Sequence, residues 1–137
     1  MKRKMLRSLA VLACLIMVFF MLETANRIKA EDLRYQYVIE AECSISITSG
    51  TATVESYING KSGTTSTSVT VYLESYYNGE WHSYSSWTHT GGRRQENTDT
   101  TTVGIGIYRV RMSVTATSGG NSESFNVDGN MTTYFGF

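Results

Sequence analysis

In residues 108–117, YRVRMSVTAT, Tyr108, Val110, Met112, Val114 and Ala116 fall on one face of an extended chain. Arg109, Arg111, Ser113, Thr115 and Thr117 fall on the other. Successive side chains of a strand point to opposite faces, so this stretch predicts a strand with one buried side and one wet side. The same period governs TATVESYIN, where Ala52, Val54 and Ile58 alternate with Thr51, Thr53, Glu55, Tyr57 and Asn59. It recurs in CSISIT through Ile45 and Ile47. No helical period competes with it beyond residue 30. The fold class is all-β.

The connections support this. Ser49-Gly50 turns the chain between CSISIT and TATVESYIN, and Asn78-Gly79 is the strongest short hairpin signal in the sequence. SESFNV reads as a short strand ending before Asp128-Gly129, and TDTTTV from Thr98 as another, its β-branched residues suiting a pleated surface. GKSGTTSTS (60–68) reads as a flexible polar loop and GGRRQEN (91–97) as a charged one. The count is seven strands, or eight if the segment around Tyr35 to Ile39 also pairs. Seven short strands with a turn signal every ten or so residues predict a small antiparallel β-sandwich. Its expected core is Ile45, Ile47, Val54, Ile58, Val69, Val71, Leu73, Tyr108, Val110, Met112 and Val114.

The first thirty residues have a different character. Lys2, Arg3, Lys4 and Arg7 precede an apolar run from Leu9 to Leu22, and a polar segment ends at Ala30. This is the order of a secretory signal peptide, cleaved near Ala30. The run is shorter than the roughly 20 residues a membrane-spanning helix needs, so no stable span is expected after cleavage. The expected organisation is a signal peptide (1–30), an N-terminal segment that can serve as an edge strand (31–42) and a sandwich domain (43–137), the mature protein being secreted and monomeric. Six of the twelve basic residues but only one of the twelve acidic ones lie before position 31, which leaves the remainder near −5 (6 basic against 11 acidic). An acidic chain gains nothing from counterion release on nucleic acid, and no nucleic-acid partner is expected. Cys43 is then the one remaining cysteine, so the domain has to be held by its core rather than by an internal disulfide.

Three stretches carry a resemblance: RYQYVIEAECSISITSGTATVESYINGKSG, VTVYLESYYNGEWHSYSSWT, and YRVRMSVTATSGG with the SES that follows. Together they resemble an uncharacterised family of small exported proteins of Gram-positive bacteria, with an arginine–aromatic opening, an NG-W-SW hairpin and a YRVR strand. The YRVRMSVTA segment is also similar to the penultimate strand of fibronectin type III domains. The resemblance implies a fibronectin type III-like or immunoglobulin-like sandwich and export, and it implies no activity.

The hairpin VTVYLESYYNGEWHSYSSWT holds both tryptophans and four tyrosines. A two-residue Asn-Gly turn sets Tyr77 opposite Glu80, Tyr76 opposite Trp81, Leu73 opposite Tyr84, Tyr72 opposite Ser85 and Thr70 opposite Trp87. With Val69, Val71, Leu73 and Tyr84 facing the core, Tyr72, Tyr76, Trp81 and Trp87 share the outer face. In a sandwich of the implied type the YRVR strand lies alongside, adding Arg109 and Arg111 to form an aromatic platform. Such a platform suits a cell-wall glycan or a surface protein, the rings stacking while the arginines and Glu74 supply donors and acceptors. Aromatic pairs and arginine-over-ring contacts also stabilise a sheet by themselves. A bulge within WHSYSSW would turn one tryptophan inward.

Chemistry has little support in the sequence. His82 and His89 are seven residues apart, about 23 Å on one extended strand, too far to share a metal. Glu40 and Glu42 read as solvated edge charges, and no serine sits in a nucleophile elbow. No catalytic residue, metal site or cofactor is expected. Asn130-Met131-Thr132 matches the N-glycosylation acceptor pattern. The expected function is a secreted, non-enzymatic interaction module. The alternatives are a structural or matrix component without a ligand and, more distantly, a hydrolase-like enzyme.

Overall fold

The computed structural model describes residues 35–136, so the signal peptide, its cleavage near Ala30 and residues 31–34 lie outside the described residues. Seven strands occur among those described: β1 (Val38–Thr48), β2 (Thr51–Gly60), β3 (Ser66–Tyr77), β4 (Glu80–Gly91), β5 (Arg94–Thr102), β6 (Gly106–Ser118) and β7 (Asn121–Tyr134). They form a three-stranded sheet in the order β1-β2-β5 and a four-stranded sheet in the order β4-β3-β6-β7. Every ladder is antiparallel. All of this lies within one unit of the chain, Gln36–Phe137.

The turns explain the hairpins. Ser49 and Gly50, Asn78 and Gly79, and Gly119 and Gly120 all have positive φ. That conformation twists a two-residue loop in the same sense as the strands it joins. The β3–β4 and β6–β7 hairpins make one sheet, and β1–β2 with β5 make the other. β4 pairs with β3 instead of joining the β1-β2-β5 sheet as the fourth strand of an immunoglobulin constant domain would. The YRVR strand is penultimate, between β3 and β7.

One face of each sheet builds the core. Ile58, Leu73, Met112, Val54, Val69, Val71, Val110 and Val114 are fully buried, and Ile45 and Tyr108 are nearly so. Val38, Cys43, Ala52, Val103 and Ala116 complete the core, whereas Ile47, near the β1–β2 turn, is only half-buried. Tyr108 lies near the start of β6, and its hydroxyl donates to the Gly104 carbonyl at 2.9 Å. This bond ties β6 back across the β5–β6 corner, in the manner of a tyrosine corner.

Side chains bridge the open sides of the sandwich. Between the β1 and β7 edges, Asn130 Oδ1 accepts from the Ile45 amide at 2.7 Å and Asn130 Nδ2 donates to the Ile45 carbonyl at 2.9 Å. The amide side chain thus mimics a neighbouring strand, and the group a glycan would occupy is already committed. Glu123 accepts from the amides of Gln36 and Tyr37 at 2.8 and 2.6 Å, pinning the chain where it enters β1. Between β4 and β5, His89 meets Asp99 at 2.7 Å and the Tyr84 hydroxyl donates to the Thr102 carbonyl at 2.8 Å.

Several sequence expectations are corrected. Arg94–Asn97, read as part of a charged loop, begin β5 and pair with β2. Asp128-Gly129, read as a turn, lies inside β7, where a register shift opposite Arg109–Arg111 bends the strand. β1 begins at Val38 and absorbs the extra strand considered around Tyr35 to Ile39. The hairpin register holds at Tyr77–Glu80 and Tyr76–Trp81 but shifts between Leu73 and Glu74. Glu74 pairs with Ser83 and Leu73 with Ser85, which leaves Tyr84 as the extra residue of a bulge. Tyr72 therefore faces Ser86, and Trp87 faces Val71 rather than Thr70.

Candidate functional site

Because partners in an antiparallel ladder point the same way, the register specifies the outer face of the four-stranded sheet row by row. From β4 to β7 the rows are Trp81–Tyr76–Ile107–Thr133, Ser83–Glu74–Arg109–Met131, Ser86–Tyr72–Arg111–Asp128 and Thr88–Thr70–Ser113–Asn126. The face is polarised. Aromatic and aliphatic groups crowd the end nearest the Asn78-Gly79 turn, hydroxyls fill the other end, and two charged rows lie between.

Of the six residues that the sequence assigned to the platform, five meet on this face: Tyr72, Tyr76, Trp81, Arg109 and Arg111. Trp87 does not join them. The bulge at Tyr84 changes the parity of the strand, so Trp87 pairs with the fully buried Val71 and lies half-buried on the inner side.

Contacts within the group are specific. The Tyr76 and Trp81 rings lie 5.1 Å apart with planes tilted by 56°. The Arg109 guanidinium lies over the Trp81 ring at 4.3 Å, and its Nε donates to Glu74 Oε2 at 2.6 Å. Arg111 is held more loosely: Nη1 is 3.9 Å from Glu74 Oε1, and Nε is 3.2 Å from Asp128 Oδ1. That Nε is buried, and its approach to Asp128 lacks hydrogen-bond geometry. Tyr72, Glu74 and Arg111 line a hollow of about 220 Å³.

A larger hollow, about 350 Å³, lies on the other sheet, with Glu42, Glu55, Tyr57 and Glu96 among its lining. No group of three or more histidine, cysteine, aspartate or glutamate side chains among the described residues could hold a metal. His82 stacks on Tyr77 at 3.8 Å, and His89 is bonded to Asp99. Among the described residues no serine, threonine or cysteine side chain hydrogen-bonds to either imidazole. The His89–Asp99 pair joins two strand edges, and among the described residues no activated nucleophile accompanies it.

No family model matches the chain, and no curated protein matches it. Among solved structures it is similar to the CARDB domain of the PF1109 protein from Pyrococcus furiosus, solved in complex with di-metal ions. The identity is 22%, over 70% of this chain and 91% of that one, with a TM-score of 0.35. It is also similar to R. palustris CsgH, at 13% identity over 65% of this chain and 92% of that one, with a TM-score of 0.36.

Sequence reasoning missed the aliphatic part of the face. Ile105 is 75% exposed, and Met131 and Phe135 are each 64% exposed. Ile107 and Met131 stand in the platform's own rows, and Ile105 and Phe135 lie just beyond the ends of β6 and β7. The signal was available. In GIYRVR the alternation that points Arg109 and Arg111 outward also points Ile107 outward.

Proposed function

We propose that the chain is an exported, non-catalytic interaction module whose contact surface is the outer face of the four-stranded sheet. The observation that carries this reading is the fixing of Arg109 between Glu74 and Trp81, with Tyr76 against the same indole. Rings held in place before contact lose little side-chain freedom on binding. Tyr, Trp, Arg and Met are also the residues enriched in the centres of protein contact surfaces, and a contiguous exposed apolar patch marks such a surface. The basic–apolar–small order of residues 1–30 supports export. The acidic remainder argues against nucleic acid as the partner.

A second reading is a structural or matrix component without a ligand. It is favoured by the mutual packing of Trp81, Tyr76 and Arg109, since each such pair contributes roughly 0.2–1 kcal/mol to stability. Two substitutions separate the readings. Tyr76→Ala and Met131→Glu should each reduce retention of the purified protein on the surface of the secreting cell by about tenfold, the effect of losing one important contact residue. Met131→Glu should leave the melting temperature almost unchanged. Unchanged retention in both variants, with a lowered melting temperature for Tyr76→Ala, would establish the structural component instead.

A further inference from the structure

Arg109 and Arg111 stand two residues apart on one face, yet their surroundings differ. Arg109 is committed on both its surfaces, its Nε to Glu74 at 2.6 Å and its plane to the Trp81 ring. Arg111 approaches Glu74 only at 3.9 Å and meets Asp128 without a hydrogen bond, and the Asp128 side chain is 83% exposed. The Nε is buried, but the Arg111 side chain is 39% exposed and, among the described residues, its Nη groups make no hydrogen bond, so they remain available beside the exposed Tyr72 ring, its partner in register. Together with Glu74 these two residues line the hollow of about 220 Å³.

We infer that this hollow is a subsite for a neutral sugar ring, with Tyr72 as the stacking surface and Arg111 as the donor; the inference rests on the reading of this face as the contact surface. Charge decides against an ionic ligand. Two guanidiniums and two carboxylates (Arg109, Arg111, Glu74 and Asp128) sum to zero, so a charged group gains no net attraction and has to displace an existing pair. A pyranose carries C–H bonds on its faces and hydroxyls around its rim. Its face suits the Tyr72 phenol, and its hydroxyls can donate to the carboxylates and accept from Arg111. The next row outward (Thr88, Thr70, Ser113 and Asn126) continues the hydrogen-bonding surface, which suits a longer saccharide better than the apolar side of a protein. Arg109 is then a positioning residue, which holds Trp81 and Glu74 in place.

The test is titration of the purified protein with cellotetraose and chitotetraose, and with tetragalacturonate as an anionic counterpart, followed by tyrosine and amide NMR shifts. A neutral tetrasaccharide should bind with the same affinity at about 20 and about 300 mM salt, because no ionic contact is screened. Tyr72→Ala and Arg111→Lys should each weaken binding by about tenfold, the lysine because it lacks the planar fork. Tyr72→Phe keeps the ring and should bind like the parent. Preference for tetragalacturonate, lost at high salt, would overturn the neutral class. If no tetrasaccharide binds while Met131→Glu still loses cell retention, the sugar subsite falls and the contact face stands. If neither effect appears, both fall.

Discussion

Cys43 shows how position decides what a residue can do. Its thiol is buried, and among the described residues its one hydrogen-bond contact is to the Val127 carbonyl at 3.9 Å. Burial first, then the negative charges of Asp128 and Glu42, push its pKa from 9.0 to about 12. The thiolate is the reactive form, so Cys43 is expected to be inert in the folded protein. Iodoacetamide at pH 8 should leave the native chain unmodified while alkylating the urea-unfolded chain to completion; equal rates would contradict the burial. The same shift has a consequence for stability. The unfolded thiol ionises near pH 9 and the folded one resists, so this contribution is fully present below pH 9 and is lost as pH rises toward 12. Tyr108, raised above 10.0 by burial first and then by Tyr84, acts in the same direction. Urea midpoints should therefore fall on the alkaline side, less steeply in Cys43→Ala.

Among the elements, β7 departs most from its sequence reading. Asp-Gly ordinarily marks a turn, yet Gly129 lies inside the strand because there is no room for a side chain. A Cβ there would stand 2.5 Å from the Cys43 carbonyl oxygen and from Val110 Cγ1. The next residue, Asn130, makes the two bonds to Ile45. Gly129→Ala should cost about 1–3 kcal/mol as overpacking, and Asn130→Ala about 1–3 kcal/mol for two lost hydrogen bonds. Urea unfolding measures both, and losses of only a few tenths would mean that β1 and β7 are not clipped together there. Such features were illegible because they depend on what β1 brings alongside. The position of the Tyr84 bulge was hidden for a related reason. The sequence did raise a bulge within WHSYSSW that turns one tryptophan inward, but SYSS lacks the polar–apolar contrast that would place it at Tyr84 and single out Trp87. Where contrast was strong, as in YRVRMSVTAT, face and burial could both be read from the alternation.

At the scale of the molecule, the two sheets turn chemically different faces outward. The β1-β2-β5 sheet shows Glu42, Glu55 and Glu96 around its hollow, whereas the β4-β3-β6-β7 sheet shows rings, aliphatic groups and a balanced charge network. A partner that recognises one face has no reason to accept the other. Hydroxyl-radical footprinting, in the presence and absence of envelope material from the native host cell, tests this claim most directly and requires no substitution. Oxidation of Met131, Tyr72 and Tyr76 should fall on binding, while Tyr57 and the exposed Ile39 of the other sheet react as before. Protection of Tyr57 and Ile39 with Met131, Tyr72 and Tyr76 unchanged would place the contact on the acidic sheet and contradict the account.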